Sequence, residues 1–308
     1  MNGVSFDPAK DISDLSGQVI IVTGGNAGLG LETVRQLAKH NPARLYLAGR
    51  SEQKVLEAIH ALKEEQPNAP ISPLLIDLAS FASVKAAAKV FVDSESRLDI
   101  LINNAGCMML APGLTEDGYE IQFGTNVLGP ALFTQLLLPV LQKTAEINSQ
   151  TRVVNLSSAS EKMAPKHPYP FEQLKTTMEN YHTTSRYTLS KLAVVHYTIA
   201  AAQHYTKIKF ISVHPGMVAT NLHHQAIGRF LRPFLYSAIW LFAAPPEEGV
   251  LSQIWAAVSP DARSGEYYAP VGRTGDRSPA SLDMERSEKL WTWIQGELEE
   301  HLPQGAGQ

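Results

Sequence analysis

The chain has 308 residues, 44% of them hydrophobic and 18% charged, with a formal net charge of −4. That is enough apolar material for a large buried core, and too little charge, against ~25% in typical domains, for disorder by charge excess. There is no basic excess of the kind that nucleic-acid binding needs, and the single cysteine, Cys107, excludes an intramolecular disulfide or a thiolate metal cluster and points to a reducing compartment such as the cytosol.

Short apolar runs alternate with helical patterns along the chain. Residues 19–22 are a continuous β-branched run, which predicts a strand buried on both faces. Residues 31–40 carry apolar side chains at a helical period. A strand at 44–48 and a helix at 52–65 follow, then a strand at 74–76 ending in Asp77 and an Ala-rich helix at 81–92. Further strands are predicted at 98–102, 152–156 and 209–213, with a short seventh at 266–269. Helices are predicted over most of 118–142 and over 187–205. Such alternation predicts an α/β fold of the Rossmann type, a doubly wound parallel sheet with helices on both faces. No repeat or Gly/Ser linker divides the chain, so one domain spans 1–308.

The N-terminus has no apolar core of a secretory signal and begins Met-Asn rather than the Met-Gly of a myristoylation site. The stretch 121–142 lacks Asp, Glu, Lys and Arg and reaches the ~20 residues of a membrane span. It also holds Gln122, Asn126, Gly129, Pro130, Gln135 and Pro139, and is read as a buried or interfacial helix with no transmembrane span. The aromatic-rich stretch 233–246 is too short to span and fits a pocket cover or a contact with a lipid surface.

Between the first strand and its helix stands Thr23-Gly24-Gly25-Asn26-Ala27-Gly28-Leu29-Gly30. Glycines let the backbone turn tightly and approach a ligand, and the helix N-terminus behind them offers N–H groups to a pyrophosphate. The spacing is not the strict G-x-G-x-x-G, and a plain tight turn would use the same residues; the strand–turn–helix placement favours a dinucleotide. NAD sites usually carry an acid at the end of the second strand. Here Gly49-Arg50-Ser51 stands instead. Arg50 can hold a 2′-phosphate by charge-assisted bonds, which favours NADP(H) over NAD(H). Asp77 is a candidate adenine contact, and Asn103-Asn104-Ala105-Gly106 would pass beside the cofactor.

Tyr187 and Lys191 are spaced i, i+4, one turn apart on one helix face. A phenol of pKa ~10 is a poor proton shuttle at neutral pH. A lysine charge ~5 Å away, at an effective dielectric of ~20, is expected to lower it by roughly two units. That brings it into range for general acid–base work.

Taken together, Thr23-Gly24-x-x-x-Gly28-x-Gly30, Asn104-Ala105-Gly106, Asn126, Ser158, Tyr187-x-x-x-Lys191 and Pro215-Gly216-x-Val218-x-Thr220 resemble the short-chain dehydrogenase/reductase family, over about residues 15–270. Length and the Leu290-Trp291-Thr292-Trp293 segment look most like its retinol-dehydrogenase-like and fungal branch. The resemblance implies that Tyr187 protonates the carbonyl oxygen during reduction, that Lys191 binds the nicotinamide ribose, that Ser158 hydrogen-bonds the substrate oxygen and that Asn126 holds a relay water. It implies that Pro215, Gly216, Val218 and Thr220 shape the nicotinamide pocket. Asn26 and Leu29 in the glycine turn, Ser51 beside Arg50 and Leu78 beside Asp77 complete the expected cofactor set. Ser157, Ser158 and Ser160 all follow the fifth strand; the second of the pair holds the family position.

His214, His223 and His224 form no metal framework, so no metal is expected. Three additions exceed the family core: an insertion at 161–186, an apolar lid at about 221–246 and a C-terminal helix at about 281–301. The lid favours a lipophilic or polycyclic carbonyl or alcohol. The resemblance also admits a homodimer through the helices at 121–142 and from Tyr187, and a cytoplasmic protein with optional association at a lipid surface. The competing reading is a dinucleotide-binding sensor or a recruited non-redox protein; the Ser158–Tyr187–Lys191 set favours the reductase.

Overall fold

In a computed structural model the described residues are 3–216 and 246–303. Val218, Thr220, His223, His224 and all of the expected lid but Pro246 lie outside them. The strands are β1 (Val19–Thr23), β2 (Arg44–Gly49), β3 (Ile71–Leu75), β4 (Ile100–Asn103), β5 (Arg152–Leu156), β6 (Lys209–Val213) and β7 (Tyr267–Tyr268). They form one parallel sheet in the order β3-β2-β1-β4-β5-β6-β7. The helices are α1 (Pro8–Asp11), α2 (Gly28–Ala38), α3 (Glu52–Glu65), α4 (Phe81–Ser94), α5 (Ile121–Phe123), α6 (Gly129–Ala145), α7 (Thr183–His204), α8 (Pro246–Gly249), α9 (Leu251–Val258) and α10 (Met284–Leu298).

All five residues of β1 are buried because each sheet face is covered. Ile21 and Leu101 pack with residues of α4, α6 and α7; Ile20, Val22 and Ile102 pack with α2, α3 and α9. The expected doubly wound, single-domain architecture is therefore present.

The departures are local and have physical reasons. β3 begins at Ile71, before Pro73, and not at residue 74. It is the edge strand, so a residue without an N–H costs no ladder bond on its open side. β4 starts at Ile100; before it, the Asp99 carboxylate accepts the Val19 N–H at 2.9 Å and pairs with Arg97. The helical stretch expected at 118–142 starts at Ile121 and is broken by a π-helical turn, Gly124–Leu128, closed by the Gly129 N–H on the Gly124 carbonyl. The run Ile121–Ala145 is long and apolar enough to cross a membrane, yet 83% of its most apolar window is buried in this fold. The helix of Tyr187 starts four residues early, at Thr183.

The C-terminal helix is shorter than expected and lies along α7. Trp291 stacks on Tyr197 at 5.5 Å, and Trp293 on Phe171 of the insertion at 5.1 Å. With these in place no residue of α7 from 188 to 201 is exposed. That helix, one of the two expected to pair with a second copy, is covered along this length by its own chain. Trp291→Ala is expected to cost about 3–5 kcal/mol of stability, read as a lower urea midpoint at unchanged m-value.

Candidate active site

The order in which strands are added reverses between β1 and β4, and the loops leaving their C-terminal ends diverge there. A cleft of about 530 Å³ opens at that point. Its floor is the glycine turn. A Cβ on Gly30 would come 2.6 Å from Asn104 Nδ2 and nearer still to the Gly24 carbonyl oxygen, so only glycine fits. Residues 28–30 form the first turn of α2 and line the cleft, together with Gly24, Asn26 and Asn104. The N-cap of α2, Ala27, gives its N–H groups no side-chain bond, whereas Ser51 and Ser80 cap α3 and α4. This cradle of uncapped donors fits a pyrophosphate.

Thr23 does not line the cleft; it is buried, and its hydroxyl accepts the Ala105 N–H at 3.1 Å. Asn104 Nδ2 donates to the Thr23 carbonyl at 2.8 Å, so the two loops are tied across the switch point. At the rim stand Arg50, Asp77 and Leu78. Arg50 is 76% exposed and lies 3.9 Å from Asp77, a pair worth little in water. Ser51 is the cap of α3, accepting from Lys54 N–H, and does not line the cleft.

The other end is built by Tyr187, Lys191, Gly106, Ala105 and Pro215. Lys191 is buried, and its Nζ donates to the Leu156 carbonyl at 2.9 Å. Burial lowers its pKa to about 8. Its Nζ sits 5.8 Å from the Tyr187 ring centroid. The sequence-based expectation of a lowered Tyr187 pKa does not hold: burial raises it, and hydrogen bonding from Ser158 and then Ser160 offsets only part of that. The physical reason is that desolvation of the phenolate, the largest effect on it, outweighs the hydrogen bonds that favour it. Ser158 opens the 3₁₀ turn Ala159–Met163, its Oγ accepting the Ser160 N–H at 3.2 Å. Asn126 lies in the π-helical turn; its amide braces Cys107 N–H at 2.8 Å, Cys107 O at 2.9 Å and Ser190 Oγ at 2.9 Å. Gly216 is described but does not line the cleft.

Sequence reasoning missed Ser157, Thr125, Met108 and Leu110 in the cleft lining. Ser157 Oγ donates to the Lys191 carbonyl at 2.7 Å, a bond that its place beside Ser158 could have suggested. Cys107 also lines the cleft, and burial pushes its thiol up to about 11, so it is no thiolate nucleophile. Among the described residues no group of three or more His, Cys, Asp or Glu is placed to hold a metal ion.

Comparison with known proteins agrees with this geometry. Residues 18–171 match the family model described as short chain dehydrogenase. A short-chain dehydrogenase/reductase of Armillaria gallica is 40% identical over 93% of this chain and 92% of its own length. Retinol dehydrogenase 13 of Mus musculus is 34% identical over 92% of this chain and 84% of its own. A solved structure from Mycobacterium paratuberculosis superposes with a TM-score of 0.74 at 26% identity, covering 96% of this chain and 98% of that one. The NADPH-bound carbonyl reductase from chicken fatty liver shares the fold, with a TM-score of 0.61 at 23% identity over 83% of this chain and 96% of that one. The chain belongs to the short-chain dehydrogenase/reductase family. Membership makes it an oxidoreductase of the CH–OH/C=O class and implies a nicotinamide dinucleotide cofactor. Gly30→Ala should weaken dinucleotide binding about tenfold or more in a fluorescence titration. Gly296→Ala, whose Cβ meets nothing within 4 Å, should leave it unchanged.

Proposed function

We propose that the protein is an NADP(H)-dependent reductase–dehydrogenase that interconverts a lipophilic ketone or aldehyde with its alcohol, with Tyr187 as general acid and base. The observation that carries this reading is that Tyr187 and Lys191 line the same cleft as the glycine turn. The nicotinamide, when bound, supplies or takes the hydride. In reduction Tyr187 Oη gives its proton to the carbonyl oxygen, and in oxidation it takes the proton back. A phenol whose pKa is raised is in the protonated form that reduction needs. The Lys191 ammonium stabilises the phenolate left behind, and Ser158 donates to the same substrate oxygen.

The NADP(H) preference is supported by Arg50 at the rim and by the lack of an acid at the end of β2, where Gly49 and Arg50 stand. Lys191 and Asn126 side by side at Gly106 leave the reacting end polar on one side. Cys107, Met108 and Leu110 in the cleft lining support an apolar substrate, as do relatives named retinol dehydrogenase 13 and 14.

Arg50→Ala is expected to raise the NADPH dissociation constant about tenfold and leave that of NADH within about twofold; equal losses for both would defeat the NADP(H) assignment. Tyr187→Phe should lower kcat for ketone reduction by about 10³-fold or more with NADPH binding retained, measured by single-turnover kinetics and titration.

A further inference from the structure

The loop from Cys107 to Leu110 is held in an unusual way. Met109 has φ of +55°, the left-handed region that costs a non-glycine residue strain. Helix side chains, rather than neighbouring strands, take up its backbone groups. The Met109 N–H donates to Gln122 Oε1 at 2.7 Å. Gln122 Nε2 in turn donates to the Thr183 carbonyl at 3.2 Å and to Thr183 Oγ1 at 3.3 Å. The Leu110 carbonyl accepts from Thr183 Oγ1 and from Arg186 Nη2, each at 2.8 Å. Arg186 is oriented by a buried ion pair to Glu120 at 2.6 Å, one residue before Tyr187. Gln122 is fully buried and does not line the cleft. Met108 and Leu110, on either side of the strained residue, do.

We propose that Gln122 is a positioning residue: it holds Met109 left-handed and so fixes Met108 and Leu110 as an apolar wall of the cleft that Tyr187 also lines, locked to the first turns of the helix that carries Tyr187. Held this way, the wall and the proton donor keep one spacing. The wall's role in substrate binding rests on the proposed reductase activity; the clamp itself does not.

The test uses Gln122→Met, which keeps length and apolar bulk but removes both the acceptor and the donors. Hydrogen exchange at the Met109 amide should speed up about tenfold or more. With decanal as the probe substrate, kcat/KM should fall about tenfold, carried by KM, with NADPH affinity unchanged. Met109→Gly alone should keep the KM of the unmodified protein, because the clamp still sets the loop. Added to Gln122→Met, it should recover at least about half of the loss in logarithmic terms, because glycine adopts a positive φ without strain. Unchanged exchange at Met109 in Gln122→Met, a Met109→Gly variant as impaired as Gln122→Met, or a double variant no better than Gln122→Met would each overturn the proposal. If the unmodified protein reduces no carbonyl compound, the reductase reading fails, and the exchange data alone decide the clamp.

Discussion

Lys191 is buried, and its Nζ donates to the Leu156 carbonyl at 2.9 Å. Burial disfavours the charged form of an amine, so the surroundings of Lys191 decide where it loses its proton. Beyond the sheet, the insertion and the C-terminal segment are packed onto the helix that carries it. The insertion is fastened to α7 by Tyr169 Oη on His196 Nδ1 at 2.7 Å. The other ring nitrogen of His196 meets the Ala280 carbonyl at 2.9 Å, so it carries the hydrogen and Tyr169 is the donor. One neutral histidine thus joins the insertion, α7 and the C-terminal segment. At Gly106 a Cβ would stand 3.1 Å from Asn126 Oδ1 and 3.5 Å from Lys191 Nζ, so the third residue of the Asn-Ala-Gly motif is held small by the same site.

The desolvation acts on both partners in opposite senses. It lowers the lysine to about 8 and raises the tyrosine, so both move toward their neutral forms. In the proposed reduction the raised phenol is no handicap, since it would arrive protonated. The ammonium would matter at the moment the phenolate forms, when a nearby charge in a poorly solvated place is worth more than in water. The switch point between β1 and β4 brings this pair and the glycine cradle to opposite ends of one cleft.

Much of the framework was legible because burial leaves a pattern. The β-branched run of β1, the bounds of α3, β5 and β6, and the i, i+4 pair Tyr187 and Lys191 all follow from period and composition. The edge strand β3 begins three residues before the apolar run at 74–76, and its Pro73 is tolerated because no strand lies outside it. The π-helical turn at Asn126 has no composition of its own. The direction of the Tyr187 shift does not follow from sequence because a pairwise charge argument needs only spacing, while desolvation depends on the whole packed surroundings of the phenol. The Gln122 and Arg186 contacts were invisible for a related reason: side chains that bond to backbone groups leave no partner signature in sequence.

The account stands most directly on the charge of Lys191 during proton transfer. Single-turnover reduction of one ketone, followed by loss of NADPH absorbance from about pH 6 to about pH 10, reads it. A buried lysine with its pKa lowered to about 8 is charged below that value and loses its proton above it, well before an exposed lysine would. The rate should therefore be level at the acid end and fall as pH rises through about 8. A rate that stays level to about pH 10, or rises with pH, would contradict the account.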